Sequence, residues 1–382
     1  MAKKNNIPEV DIVVDEAAGV IREVKTDTHL RSKKGHERRV NATIYTILII
    51  MSIIWLCPFV FLVLQSFRGE SGGQVAYVIP KQWTLDNYKF LFEGVRVGFD
   101  MLIKDTTAIV LTALINVAGV LGIVGCLLRK PKNMLEKSSG NIKAALLVFG
   151  AMTLLNFIRA VDSTNCDFVR WFMNTLTIAL FCAVIQTVMV LSVSYTLSRM
   201  RFNGRKLIMN VVLVLGMFPG FLTMIVLYYL LKTMGLTQAG AIPGLILISC
   251  ASSGMGYYIS KGFFDTIPKS LDESARIDGA TRFQVFLKII MPMAKPIVIY
   301  TILMAFMGPW GDYVFASYVA FGHKASYNVA VGLYRWVNTN DYQGYFTKFC
   351  AGGVLVAIPI TALFMALQKY YVEGVTGGAV KG

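Results

Sequence analysis

Only 15% of the 382 residues are charged, against about 25% in soluble domains, and 55% are hydrophobic. These proportions exclude an ordinary soluble enzyme. The net charge of +15 suggests nucleic acid, but where the basic residues fall excludes that as well.

Residues 1–42 are polar and end in "RSKKGHERR" plus a short lead-in. They read as a mostly disordered cytoplasmic tail whose basic end rests on anionic lipid, with a short helix open to residues 10–24. The first membrane span is expected at 43–67, inside an uncharged run from 40 to 67. A spanning helix needs about 20 apolar residues, and Pro58 is expected to kink this one. Residues 68–104 form an outer loop in which "WTLDNYKFLF" predicts a surface helix capped by Thr84 or Asp86. Apolar runs at about 105–128 and 142–160, joined by the basic turn "RKPKNMLEKSSGNIK", predict an inserted helical hairpin over 101–162.

Further spans are expected at about 168–198, 207–231, 240–260, 293–315 and 347–370, giving about eight in all. They are helices because lipid supplies no water to satisfy the backbone. Pro219, Gly220, Pro243 and Gly244 are expected to interrupt two of them. Residues 316–346 form an outer loop, and 372–382 a cytoplasmic tail after a core of 163–371. Basic residues gather on one side: Arg31, Lys33, Lys34, Arg38 and Arg39; Arg129, Lys130, Lys132 and Lys137; Arg199, Arg201, Arg205 and Lys206; and the segment 261–295. This positive-inside bias puts both termini in the cytoplasm and explains the charge without nucleic acid.

The segment 261–295 is too polar to span. Ser270 and Glu273 fit a capping box, with Gly279 as a left-handed stop. Thr281 and Gln284 fit a second box, followed by an apolar face of Phe283, Phe286, Leu287 and Ile290, with Pro292 and Pro296 leading into the next span. A two-turn helix is unstable alone in water. Two readings follow: docking in a cleft of another protein, or a capped helix in a solvated loop. The macrodipole disfavours Asp278 at a helix C-terminus, and an Asx turn onto Ala280 is its local alternative.

No phosphate-cradling G-x-x-x-x-G-K-[ST] loop occurs. The three histidines (His29, His36 and His323) lie outside the spans, and the six cysteines lack metal-ligand spacing. No catalytic residue, metal site or bound cofactor is therefore expected.

The stretch "ESARIDGATRFQVFLKIIMPMAKP" resembles the signature cytoplasmic loop of binding-protein-dependent ABC importer permeases. That loop reads Glu-Ala-Ala, three residues, Gly, an apolar helix and Ile-x-x-Pro. Here it is carried by Glu273-Ser274-Ala275, Gly279, Phe286, Ile289 and Pro292, with Ser274 as the one departure in the triplet. "IPKSLDESARIDGA" resembles the carbohydrate branch. "YKFLF", "RWFMNT", "SYTLSRMRFNGRK", "LGMFPGFLTMIVLYYLLKTMGL" and the terminal "GAVKG" resemble the maltose-permease type. The likeness covers about 40–100 and 165–382 and leaves out the inserted hairpin.

The resemblance implies an all-α polytopic membrane protein, a six-helix permease core plus the hairpin, in a bacterial cell membrane. It implies a transport subunit rather than an enzyme, with ATP and Mg on a partner ATPase. Its partners would be a second permease subunit, an ATPase pair, an extracytoplasmic sugar-binding protein, a sugar and membrane lipid. The short helix would be a coupling helix, its contacts drawn from Leu271, Asp272, Glu273, Ser274, Ala275, Arg276, Asp278, Gly279, Ala280, Phe286 and Pro292. Gly377, Gly378, Val380 and Lys381 of the tail would reach between the ATPases. Trp310, Asp312, Tyr313, Asn338, Asn340 and Asp341 would face the binding protein or an outer gate. For Asp312 a place in an interfacial aromatic belt is the alternative, and "GPWGDY" carries Gly311 where the family has Asn. Tyr228, Tyr229, Tyr257 and Tyr258 are candidates for stacking on sugar, although such spacing more often serves packing. The rival function is an ion-coupled secondary transporter, which should carry buried acids or an inverted repeat.

Overall fold

A computed structural model describes residues 11–15, 20–24, 28–70, 78–97, 150, 161–163, 166–251, 254–338 and 342–379. The expected hairpin at 101–162 lies almost wholly outside these residues, as do Asn340, Asp341, Val380 and Lys381. The chain divides into two units, Met1–Phe61 and Leu62–Gly382.

In the first unit, β1 (Asp11–Asp15) pairs antiparallel with β2 (Val20–Val24), Asp11 opposite Val24. A hairpin thus replaces the helix expected over 10–24. The β-branched residues Ile12, Val13, Val14, Val20 and Ile21 favour extended backbone over helix. Helix α1 (Thr28–Ser66) starts well before the expected span and continues past Pro58. Residues 38–60 of it are exposed, as suits a helix bathed in hydrocarbon.

The second unit is built on α3 (Phe168–Arg199), one uninterrupted helix of 32 residues. Before it come α2 (Asp86–Phe92) and a short ribbon of β3 (Val95–Val97) with β4 (Val161–Ser163), which brackets the inserted segment. After it come α4 (Arg205–Gly216), α5 (Gly220–Thr233), α6 (Ala241–Ala251), α7 (Gly254–Thr266), α8 (Ser270–Ile277), α9 (Arg282–Val285), α10 (Met291–Met293) and α11 (Lys295–Gly311). The chain ends with α12 (Val314–Val319), α13 (Val329–Val337) and α14 (Tyr342–Ala379).

Among the described residues, four helical segments are long and apolar enough to cross a membrane: 38–66, 168–199, 238–266 and 344–369. Two bent pairs bring the number to six if each is one span. The pair α4 and α5 turns by 102° at Pro219 and Gly220, where an interruption of the span was expected. Pro219 stands at the break, where it can neither donate an N–H nor let Phe218 stay helical easily. Pro243, by contrast, interrupts nothing. It falls in the first turn of α6, where the missing N–H costs little.

Helix α3 packs on α11, α7, α6 and α13, and α11 packs on α14. Two apolar clusters result. One gathers Phe168, Trp171 and Ile178 of α3 with Ile242, Phe306, Leu333 and Trp336. The other lies beneath the polar hairpin and joins Leu191 and Tyr195 of α3 to Phe264, Ala275, Val285 and Ile290. Outside them, α4 buries no residue and α5 only Leu231.

At the Phe168 end, side-chain amides do what apolar packing cannot. Asn174 Nδ2 donates to the carbonyls of Ala325 (2.9 Å) and Tyr327 (2.8 Å). Thr175 Oγ1 accepts the Val329 N–H at 2.8 Å. Arg170 Nε and Trp171 Nε1 bind the carbonyls of Ala325 and Lys324. Asn87 makes a similar knot, donating to Ser66 O and Arg68 O and accepting from Thr347. Each bond satisfies backbone or amide groups that apolar surroundings would otherwise leave unpaired.

Gly332 marks the tightest packing, because a Cβ there would fall inside the van der Waals surface of the Trp171 ring. Gly332→Ala should therefore cost about 1–3 kcal/mol in stability. Thermal unfolding of the detergent-solubilised chain measures it. Adding Trp171→Leu should recover part of the loss if the ring is the obstacle.

Candidate functional site

The polar hairpin is the site to build. Its first helix begins earlier than expected. Lys269 is already helical (φ −69°, ψ −24°), and its carbonyl accepts the N–H groups of Asp272 (3.0 Å) and Glu273 (3.2 Å). Ser270 is thus the first helical residue and not the cap, and its box with Glu273 does not form. An N-cap must hold extended backbone, whereas the turn here is already set from Pro268, whose carbonyl accepts the Leu271 N–H. Glu273 is left exposed.

The other end stops as expected. Gly279 sits at φ +83°, Ala280 N–H reaches Ala275 O (2.9 Å) and Gly279 N–H reaches Arg276 O (3.1 Å). This is a Schellman-type stop that needs a residue without Cβ strain. The Ala280 N–H is committed to it, so the Asx turn from Asp278 does not form. The box at Thr281 and Gln284 does form, with Thr281 N–H donating to Gln284 Oε1 (2.8 Å) and Gln284 N–H to Thr281 Oγ1 (3.3 Å). A π-turn at Phe286–Ile290 then widens the helix. Of the expected face Phe286 and Ile290 are covered, but Phe283 and Leu287 stand exposed and Val285 is buried, as the π-turn's extra residue shifts the period. The chain turns 85° into α11.

Arg199, in the last turn of α3, holds this hairpin. Its Nη2 donates to Phe264 O (2.8 Å), in the last turn of α7, and to Ile267 O (2.7 Å), just past its end. Its Nε lies 3.4 Å from Asp272 Oδ2, and the two side chains are only 4% and 16% exposed. Next to it, Ser198 Oγ donates to Asp265, which also pairs with Lys261. The Tyr195 ring packs on Phe286, centroids 4.7 Å apart. Burial pushes the Asp272 carboxyl above the usual carboxylate range, Arg199 pulls it back, and Glu273 pushes it up again. The sequence reading counted Arg199 only toward positive-inside bias. An arginine closing a long apolar helix, with an acid six residues past Thr266, was the signal available.

The expected coupling residues separate by face. Leu271, Asp272, Ala275, Ala280 and Phe286 are wholly or partly covered and fasten the hairpin. Glu273, Ser274, Arg276, Asp278, Gly279 and Pro292 are exposed. Ile277, an apolar residue of this helix not counted among the coupling contacts, is left 86% exposed at the tip.

The residues expected near a binding protein or outer gate do not form one surface. Trp310 is buried between Phe172 (5.3 Å) and Phe306 (5.9 Å) and has no place on a surface. Asp312 is half-buried and accepts the Phe315 N–H at 3.2 Å, capping α12. Its backbone carbonyl accepts from Asn328 Nδ2 at 2.6 Å. Tyr313 packs on Tyr334, centroids 4.1 Å apart, and Asn338 is exposed at the end of α13. Gly377 and Gly378 belong to α14, which stays helical to Ala379.

The family described as "Binding-protein-dependent transport system inner membrane component" matches residues 188–377. The galactooligosaccharides transport system permease protein of Bacillus subtilis (strain 168) is 38% identical over 219 residues, which is 57% of this chain and 76% of the relative. The maltodextrin transport system permease protein of the same organism is 37% identical over 244 residues, 64% of this chain and 86% of the relative. Among solved structures, a bacterial ABC transporter involved in the import of the acidic polysaccharide alginate aligns with a TM-score of 0.56 at 17% identity. It covers 88% of this chain and 98% of that one. At that identity the likeness concerns the fold.

Asp272→Ala strands a buried arginine beside its lost partner. It should cost about 3 kcal/mol, whereas Glu273→Ala should stay within about 0.5 kcal/mol. Thermal unfolding together with limited proteolysis around 268–281 separates the two. Equal shifts would mean that Asp272 ties nothing down.

Proposed function

The chain belongs to the family of binding-protein-dependent transport system inner membrane components, and we propose that its polar hairpin is where an ATPase subunit drives it. It is a permease subunit of a carbohydrate ABC importer, a multi-pass membrane protein whose relatives are transport subunits and not enzymes. The kinship favours this reading over an ion-coupled secondary transporter. In our reading it forms half of the path for an oligosaccharide, beside a second permease subunit. A pair of ATPases would hold ATP and Mg, and an extracytoplasmic binding protein would deliver the sugar. Both termini would lie in the cytoplasm of a bacterial cell, with the end of α14 and its Gly377-Gly378 reaching the ATPases.

One observation carries the coupling role. A two-turn helix is anchored by its covered face and leaves Glu273, Ser274, Ile277 and Asp278 outward. A loop needing only solubility has no use for the 86%-exposed Ile277. A cleft on a partner would cover it, and would shelter Glu273 enough for an ion pair to exceed the 0–1 kcal/mol typical of exposed pairs.

Glu273→Lys and Gly279→Pro should each abolish ATP-driven sugar uptake while the chain still inserts in the membrane. Uptake in cells and co-purification of the ATPase are the measurements. Normal uptake by both variants would refute the docking role.

A further inference from the structure

A cavity of about 430 Å³ lies between the end of α3, the turn into α4 and the hairpin. Six cations line it: Arg199, Arg201, Arg205, Lys269, Arg276 and Arg282. Against them stand Asp272, which is tied to Arg199, and Glu273. Among the described residues, Arg201, Arg205, Arg276 and Arg282 form no ion pair. Beneath them the buried Arg199–Asp272 pair leaves Arg199 Nη1 and Asp272 Oδ1 without hydrogen-bond partners. The cavity therefore offers several guanidinium groups without carboxylate partners, which is what a phosphate oxyanion takes up in forked pairs.

The surroundings say what carries the phosphate. Arg205, on the wall of the cavity, is also the first residue of α4. From there the exposed side chains of Leu207, Ile208, Val211 and Leu215 run along the helix. A basic cup continuous with an open apolar helix matches a headgroup joined to acyl chains. It does not match a free anion, which has no use for the apolar track. Basic pockets at the ends of membrane helices bind anionic headgroups in this way.

We propose that this cavity is a binding site for the phosphodiester headgroup of an anionic membrane phospholipid. The phosphate meets Arg201 and Arg282 on the wall of the cavity, and an acyl chain follows α4. The lipid would brace the elbow of the hairpin on its inner side. Lys269, Asp272 and Arg276 line the cavity, Ser274 and Ile277 do not, and Glu273 stands at the border between the cavity and the outward face of α8. This site is separable from the proposed ATPase contact, because lipid retention can be read without transport.

The full-length chain, purified in detergent, is offered phosphatidylglycerol or phosphatidylcholine, and retained lipid is counted by native mass spectrometry. Wild type should hold phosphatidylglycerol in preference. Arg201→Gln with Arg282→Gln should lower that retention at least about fivefold. Lys232→Gln with Lys324→Gln, which removes equal charge elsewhere, should leave it intact. If the first double variant does not elute as a single species, Arg276→Gln alone should give a partial loss. Unchanged retention in the cavity variants overturns the site. So does displacement of the lipid by inorganic phosphate or glycerol 1-phosphate, which would make it a soluble-anion site.

Discussion

The guanidinium of Arg199 is the interaction on which the hairpin depends. A helix that ends among apolar neighbours leaves up to four carbonyls without partners. At the end of α7, Arg199 adds a bond from another helix to Phe264 O, which also accepts the Ile267 N–H, and one to Ile267 O just past the helix. The same group meets Asp272, which lies beyond the next turn of chain. One side chain therefore joins the end of α3, the end of α7 and the start of α8. Lysine could not replace it, since a single ammonium on a flexible stem lacks the planar fork that reaches two carbonyls and a carboxylate together.

The two ends of α3 solve different problems with the same economy. At one end Asn174, Thr175, Trp171 and Arg170 hold the chain from Lys324 to Val329 by its backbone. At the other end Arg199 and Ser198 hold the segment that leads into the hairpin. Side chain to backbone bonds suit this purpose, because they fix loops that carry no regular ladder of their own. The rod between them has 32 residues without a break, running about 48 Å at 1.5 Å per residue.

Much of this arrangement was legible in the sequence, for physical reasons that differ by element. The spans could be read because lipid demands long uncharged runs, and the runs at 171–198 and 349–368 fall within α3 and α14. The glycine stop and the Thr281 box were legible because both are local chemistry, decided within a few residues. What failed depended on alternatives of similar local energy. Residues 10–24 carry both polar helix formers and β-branched residues, and the latter prevail. Ser270 fits a cap by spacing, but the backbone one residue earlier had already turned helical. The buried face after Thr281 shifted because a π-turn adds a residue that no regular period anticipates. The roles of Arg199 and Asp272 were hidden for another reason. They are 73 positions apart, and a charge read along the chain gives no hint of the partner it finds across the fold.

Fastening and exposure together explain why the hairpin has its form. A two-turn helix keeps its shape only if something outside it supplies the missing stability. Here the supply comes from one side: Ala275 in the apolar cluster, Asp272 on Arg199, and the Ala280 turn closed by Gly279. The opposite side is thereby released from structural duty and can carry residues that make poor sense in water, Ile277 above all. The fastened side is tied to α3 through Arg199 and leads into α11, so in the proposed coupling role a push on the free side would be passed to these helices. A loosely tethered loop with the same exposed residues would lack this tie to α3, so under the proposed coupling role the buried Asp272 would matter as much as the exposed Glu273.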